Sequence, residues 1–146
     1  NMGARQPERV SKGLGQGVLV SLFMTAALCV CQLLGMELII RAFKLDAAAA
    51  AICRQHLFAS VLSQPIFAIS FPANGMFQGV GEGFHATFYA LMALGLRVVF
   101  AYSLYRTAFF GYTAIWWSQA MAWTLTLITC YAHFFRGKWK EKSLVS

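Results

Sequence analysis

Charge is what this chain most conspicuously lacks. Only 12% of its 146 residues are charged, and the five Asp and Glu face twelve Lys and Arg. A soluble domain of this size carries about a quarter charged residues, so a water-soluble globular fold is excluded. Segments with the strict two-residue alternation of a membrane-spanning barrel are absent too, which removes the other way of satisfying a backbone in lipid. The four cysteines, at 29, 31, 53 and 130, have no metal-ligand spacing and read as small packing residues. His56, His85 and His133 lie in three different segments and form no His-Glu metal motif. No serine sits in a nucleophile elbow. The cluster "GVGEG" is neither a phosphate-binding loop nor a dinucleotide fingerprint, because no strand precedes it. An enzyme is not supported, and no cofactor is expected.

What is present is apolar length. Hydrophobic residues make up 59% of the chain, and the mean hydropathy is +0.60. Four spans of about 14–40, 47–79, 84–105 and 112–135 each reach the roughly 20 residues that a bilayer-crossing helix needs. The predicted fold class is therefore an all-α membrane protein with four transmembrane helices. Residues 1–13 read as a cytoplasmic loop, 14–136 as the membrane segment and 137–146 as a basic cytoplasmic tail. No cleavable signal-peptide pattern precedes the first span. The chain begins with Asn1 rather than methionine, and is read as a piece of something longer.

Orientation follows from the basic residues. Arg5, Arg9, Lys12, Arg136, Lys138, Lys140 and Lys142 flank the two ends, whereas Arg41, Lys44, Arg54 and Arg106 belong to the opposite side. The positive-inside rule then places both termini in the cytoplasm. These short basic flanks form no continuous patch, so nucleic acid is not an expected partner. The lipid bilayer is.

The stretch "FPANGMFQGVGEGFH", residues 71–85, raises the functional question. It continues an apolar run, yet it holds Asn74, Gln78, Glu82, a proline and four glycines. Asp46 is a good N-cap for the second span. At about 100° per residue, His56, Ser60, Ser63, Gln64, Phe67, Ser70, Phe71, Asn74 and Gln78 share one arc of roughly 120°. Pro65 and Pro72 lie on another face, each deleting a backbone hydrogen bond. A polar stripe on a bent helix has two readings. It lines a hydrated cavity, as broken helices of transporters do, or it bonds neighbouring helices together. Weaker stripes run along the first span (Ser21, Thr25, Cys29, Gln32) and the fourth (Tyr112, Trp116, Gln119, Trp123, Thr126, Cys130, His133), and packing is their default reading. The glycine cluster is expected to form a tight turn between spans two and three.

Arg97 is the sharpest single residue, a cation near the middle of the third span where burial in lipid costs several kcal/mol unless paired or hydrated. Either it lines a hydrated pathway or it caps carbonyls and pairs across a helix interface. Its carboxylate partner is not evident, since Glu37 and Glu82 lie near span ends.

The segments "NMGARQPERV", "LIIRAFKLD", "PIFAISFPANGMFQGVGEGFHATF", "LRVVFAYSL" and "IWWSQAMAWTLTL" followed by "FFRGKWKEK" resemble, in this order, the C-terminal part of a multidrug and toxic-compound extrusion (MATE) transporter. The resemblance implies twelve spans in two six-helix lobes, of which these four would be the ninth to twelfth. It further implies an antiporter of the bacterial cytoplasmic (inner) membrane. Such an antiporter exports cationic or amphiphilic small molecules in exchange for H+ or Na+, with the remaining transmembrane helices as partners. One branch of the family has an aspartate directly after the proline of the tenth span. Ile66 occupies that position here, which argues against a cation site on this stretch. The expected substrate-path residues are Gln64, Phe67, Phe71, Asn74, Gln78 and Arg97. A lipid-carrier flippase of the same superfamily and a small, non-transporting membrane interaction protein are the alternatives.

Overall fold

A computed structural model describes residues 1–107 and 109–141. Among them there is no strand, and four long helices carry the fold: α1 (Pro7–Ala42), α2 (Ala47–Gly79), α3 (Gly83–Tyr105) and α4 (Ala114–Arg136). Single 3-10 turns, Gly111–Thr113 and Lys138–Glu141, precede and follow α4. Lys142 and the end of the expected tail lie outside the described residues.

The helix boundaries follow local chemistry. Asp46 caps α2, its carboxylate accepting from the Ala49 N–H at 2.7 Å. Gly81 takes φ +79 in the short α2–α3 turn, a conformation that strains any residue with a Cβ. Gly137 ends α4 at φ +74 as a left-handed cap. The start of α1 differs from expectation, because residues 7–13 are helical rather than loop. Pro7 explains this, since a proline in the first helical turn loses no hydrogen bond and has its φ already set. Glu8 in the same turn complements the helix dipole. With 36 residues, α1 is about 54 Å long and outreaches the ~30 Å hydrocarbon core.

By length and apolarity, α1, α2 and α3 are able to cross a membrane. Helix α4 has the same 23-residue length as α3. Its apolar run is interrupted by Trp116, Trp117, Gln119, Trp123, three threonines and His133, and it is not among the three helices with a stretch apolar enough to cross a membrane by composition. Large side chains of α1, such as Phe23 and Leu34, are exposed. So continuous an apolar face fits lipid or further helices rather than water.

Helix α2 is the hub, packing against α1, α3 and α4, while α1 packs chiefly on α2. At one end, Arg54 of α2 grips Glu37 of α1 through two hydrogen bonds, 2.9 and 3.1 Å. The compact core lies at the other end. There Met2, Leu14, Phe77, Val80, Tyr89, Cys130 and Trp139 cluster, so the chain's start, the α2–α3 turn and the close of α4 meet. Trp139 is sealed by stacking on Phe134 and by donating its indole N–H to the Phe134 carbonyl at 3.0 Å.

Candidate transport cleft

Between the second half of α2 and the middle turns of α3 and α4 opens a cleft of about 490 Å³. Helix α2 contributes Phe67, Ser70, Phe71, Asn74 and Gln78. Helix α3 contributes Tyr89, Ala90, Ala93, Leu94 and Arg97, and α4 contributes Trp123 and Thr126. Five of the six residues expected on a substrate path, namely Phe67, Phe71, Asn74, Gln78 and Arg97, thus come together on one surface.

The wall has a sorted chemistry. Phe67 lies 4.8 Å from Trp123 and 5.5 Å from Phe71, ring centre to ring centre, both tilted at 36°. These faces suit flat apolar groups and, through their quadrupoles, organic cations. Further along α2, Gln78 donates to the Asn74 side-chain oxygen at 3.1 Å. Asn74 in turn donates to the Ala86 carbonyl of α3, also at 3.1 Å. The amides therefore fasten α2 to α3 and still border the cleft. Arg97 is exposed and forms no ion pair or side-chain hydrogen bond among the described residues. A cation so placed in a membrane helix requires water, a headgroup or an acidic group beside it. Thr124 and Thr129 return their hydroxyls to their own helix, at 2.8 and 2.9 Å. Buried Thr126 does not, and its hydroxyl has no partner among the described residues.

Gln64 falls elsewhere. It donates to Gln32 of α1 at 2.9 Å and accepts from the Cys29 thiol at 3.2 Å. The 120° arc is wide enough to border two neighbours, and Gln64 stands on the margin that meets α1. Cys29 also reaches toward the Val61 carbonyl at 3.9 Å, the acceptor that Pro65 leaves without its helical donor. Gln64→Leu should therefore cost stability and spare transport. We expect about 1 kcal/mol, in the range of interhelical hydrogen bonds measured within membranes, in a detergent unfolding titration. A loss of export exceeding the loss of folded protein would place Gln64 on the path after all.

Sequence reasoning missed Tyr89 and assigned Trp123 and Thr126 to packing. The usable signal was on α3, where Ala90, Ala93, Leu94 and Arg97 recur at helical spacing and place small residues on the face bearing the lone arginine. The histidines need a correction as well. His56 stands apart, 5.4 Å from Trp116. His85 and His133, distant in sequence, have ring centres 4.5 Å apart, with Glu82 between them. Helix packing rather than local spacing assembles this group.

The protein-family profile MatE matches residues 1–103. That stretch covers α1, α2 and nearly all of α3, so the portions of the resemblance on α4 and beyond lie outside it. No curated protein matches the chain, and no solved structure does. A match over more than half the chain, on helices able to cross a membrane, leads to one conclusion: the chain belongs to the MatE family, whose members are membrane transporters and not enzymes.

Proposed function

We propose that the chain forms the ninth to twelfth spans, within the C-terminal lobe, of a secondary antiporter. This antiporter exports amphiphilic or cationic small molecules in exchange for H+ or Na+, with both termini cytoplasmic. The observation that carries this reading is the convergence of an aromatic wall, an amide pair and one arginine on a single cleft between three helices. A cargo with a flat apolar body would lie against Phe67, Phe71 and Trp123. Its hydrogen-bonding groups would meet Asn74 and Gln78. No carboxylate lines the cleft among the described residues, so the coupling ion is assigned to another part of the transporter. Ile66, standing where one branch has aspartate, agrees with this. A flippase for lipid-linked anions would call for a more cationic cavity, and Arg97 is the one cation lining this one among the described residues.

The test uses the full-length transporter in proteoliposomes, measuring export of a fluorescent aromatic cation and of a lipid-linked precursor side by side. Gln78→Ala and Arg97→Ala are each expected to lower drug export about tenfold, equivalent to about 1.4 kcal/mol. Folded abundance should fall by much less. Equal loss of export and abundance would leave only a packing role, and movement of the lipid precursor alone would favour the flippase.

A further inference from the structure

At the core end of the bundle, Glu82 occupies the N-cap position of α3 without capping that helix through its side chain. Its buried carboxylate faces two imidazoles instead. Oε2 lies 3.4 Å from Nε2 of His133 at the close of α4, and 3.7 Å from Nδ1 of His85 one turn into α3. One donor atom from each of the three residues falls within 4.8 Å of the others. From this geometry we propose that Glu82, His85 and His133 form a binding site for a divalent transition-metal ion, zinc by its donor chemistry, joining the first turn of α3 to the last turn of α4.

Distances support the assignment. Zinc binds imidazole nitrogen and carboxylate oxygen at about 2.0–2.2 Å, usually in a tetrahedron, whose ligand-to-ligand edges then come to about 3.3–3.6 Å. The two contacts of Glu82 already match that edge within a few tenths of an ångström. The two histidine nitrogens lie within 4.8 Å of each other, and His85, with 44% of its side chain exposed, is free to turn to close any excess over that edge.

His133 is oriented in advance. The Tyr89 hydroxyl lies 2.7 Å from its Nδ1, and the ring stacks on Phe77 at 4.8 Å with 7° between planes. When Nδ1–H donates to that hydroxyl, the lone pair of Nε2 is turned toward Glu82. Such outer hydrogen bonds fix the tautomer and direction of a metal-binding imidazole. Two neutral imidazoles and one carboxylate suit borderline ions such as zinc better than calcium or magnesium, which take oxygen ligands. A fourth position remains for water. Arg136 and Lys138, close in sequence to His133, are exposed, and solvent screens their repulsion of a cation. We therefore expect micromolar rather than nanomolar affinity.

The experiment titrates the full-length protein in detergent micelles with Co2+, then displaces it with Zn2+, after its accessible cysteines have been blocked. One equivalent should bind, with the visible absorption of four-coordinate cobalt and without thiolate charge-transfer bands. His85→Ala, His133→Ala and Glu82→Gln are each expected to weaken binding at least tenfold, and Tyr89→Phe about tenfold. His56→Ala should leave it unchanged. Because His85 is half exposed, its replacement spares the fold, and helical circular dichroism of each variant verifies this. Binding by His85→Ala equal to the unmodified protein, less than one equivalent bound, or thiolate bands would each overturn the site.

Discussion

Ala93→Phe is expected to abolish drug export while the protein still reaches the membrane in near-normal amount. Ala93 belongs to the small-residue face of α3 that borders the cleft, across from Phe67 and Phe71 of α2 and Trp123 of α4. The phenyl ring added there enters free volume. In a close-packed interior the same substitution would force neighbours out of their rotamers at about 1–3 kcal/mol. Beside a cleft of about 490 Å³ that strain is largely absent, so the expected cost is lost room for cargo. Export should drop more than tenfold, to the level of an uninduced control, with membrane abundance at least half that of the unmodified transporter. Ala93→Ser, which adds one small polar atom, should retain most activity. If Ala93→Phe exports normally, cargo does not pass this surface, and the role proposed for Phe67, Phe71, Asn74, Gln78 and Arg97 goes with it.

The parts of this site legible in the sequence are those set by periodicity and by cost. A 3.6-residue period placed Phe67, Phe71, Asn74 and Gln78 on one face of α2 without any knowledge of its neighbours. Arg97 announced itself because an arginine deep in an apolar helix is expensive. Asp46 and the Gly81 turn were readable because caps and turns depend on a few adjacent residues. Periodicity does not say which neighbour a face meets, however. That is why Gln64, on the same stripe, belongs to the α1 contact, why Trp123 and Thr126 passed as packing residues, and why Tyr89 was missed. Composition gave α4 its length but obscured its character, since tryptophan and threonine interrupt its apolar run. The meeting of Glu82 and His85 with His133 was illegible for a further reason. It depends on α3 and α4 lying antiparallel, so that the start of one faces the end of the other.

The largest loss of stability is expected from Phe77→Ala, a residue on the same helix as the cleft but turned toward the bundle's closed end. Phe77 is fully buried, stacked on His133 and 5.8 Å from Tyr89, within the cluster that holds Met2, Val80 and Trp139. Truncating a buried phenylalanine in a water-soluble core costs about 3–5 kcal/mol, the sum of a transfer term and a cavity term. In lipid the transfer term shrinks, because separated helices also keep phenylalanine in an apolar medium. The cavity term persists, since neighbouring atoms lose their contacts whatever the solvent. Phe77 sits two residues before the end of α2, beside the short turn to α3, where the unfolded chain meets water and headgroups, so most of the transfer term should survive as well. We expect about 3 kcal/mol, read as a lowered midpoint in a denaturing-detergent titration. Phe84→Ala is the matched comparison, because Phe84 lies just across the same turn but is 80% exposed. Its truncation should change stability by no more than about 0.5 kcal/mol. Equal losses for the two would mean that both rings face the same surroundings, and the compact end of the bundle would have no core for Phe77 to hold together.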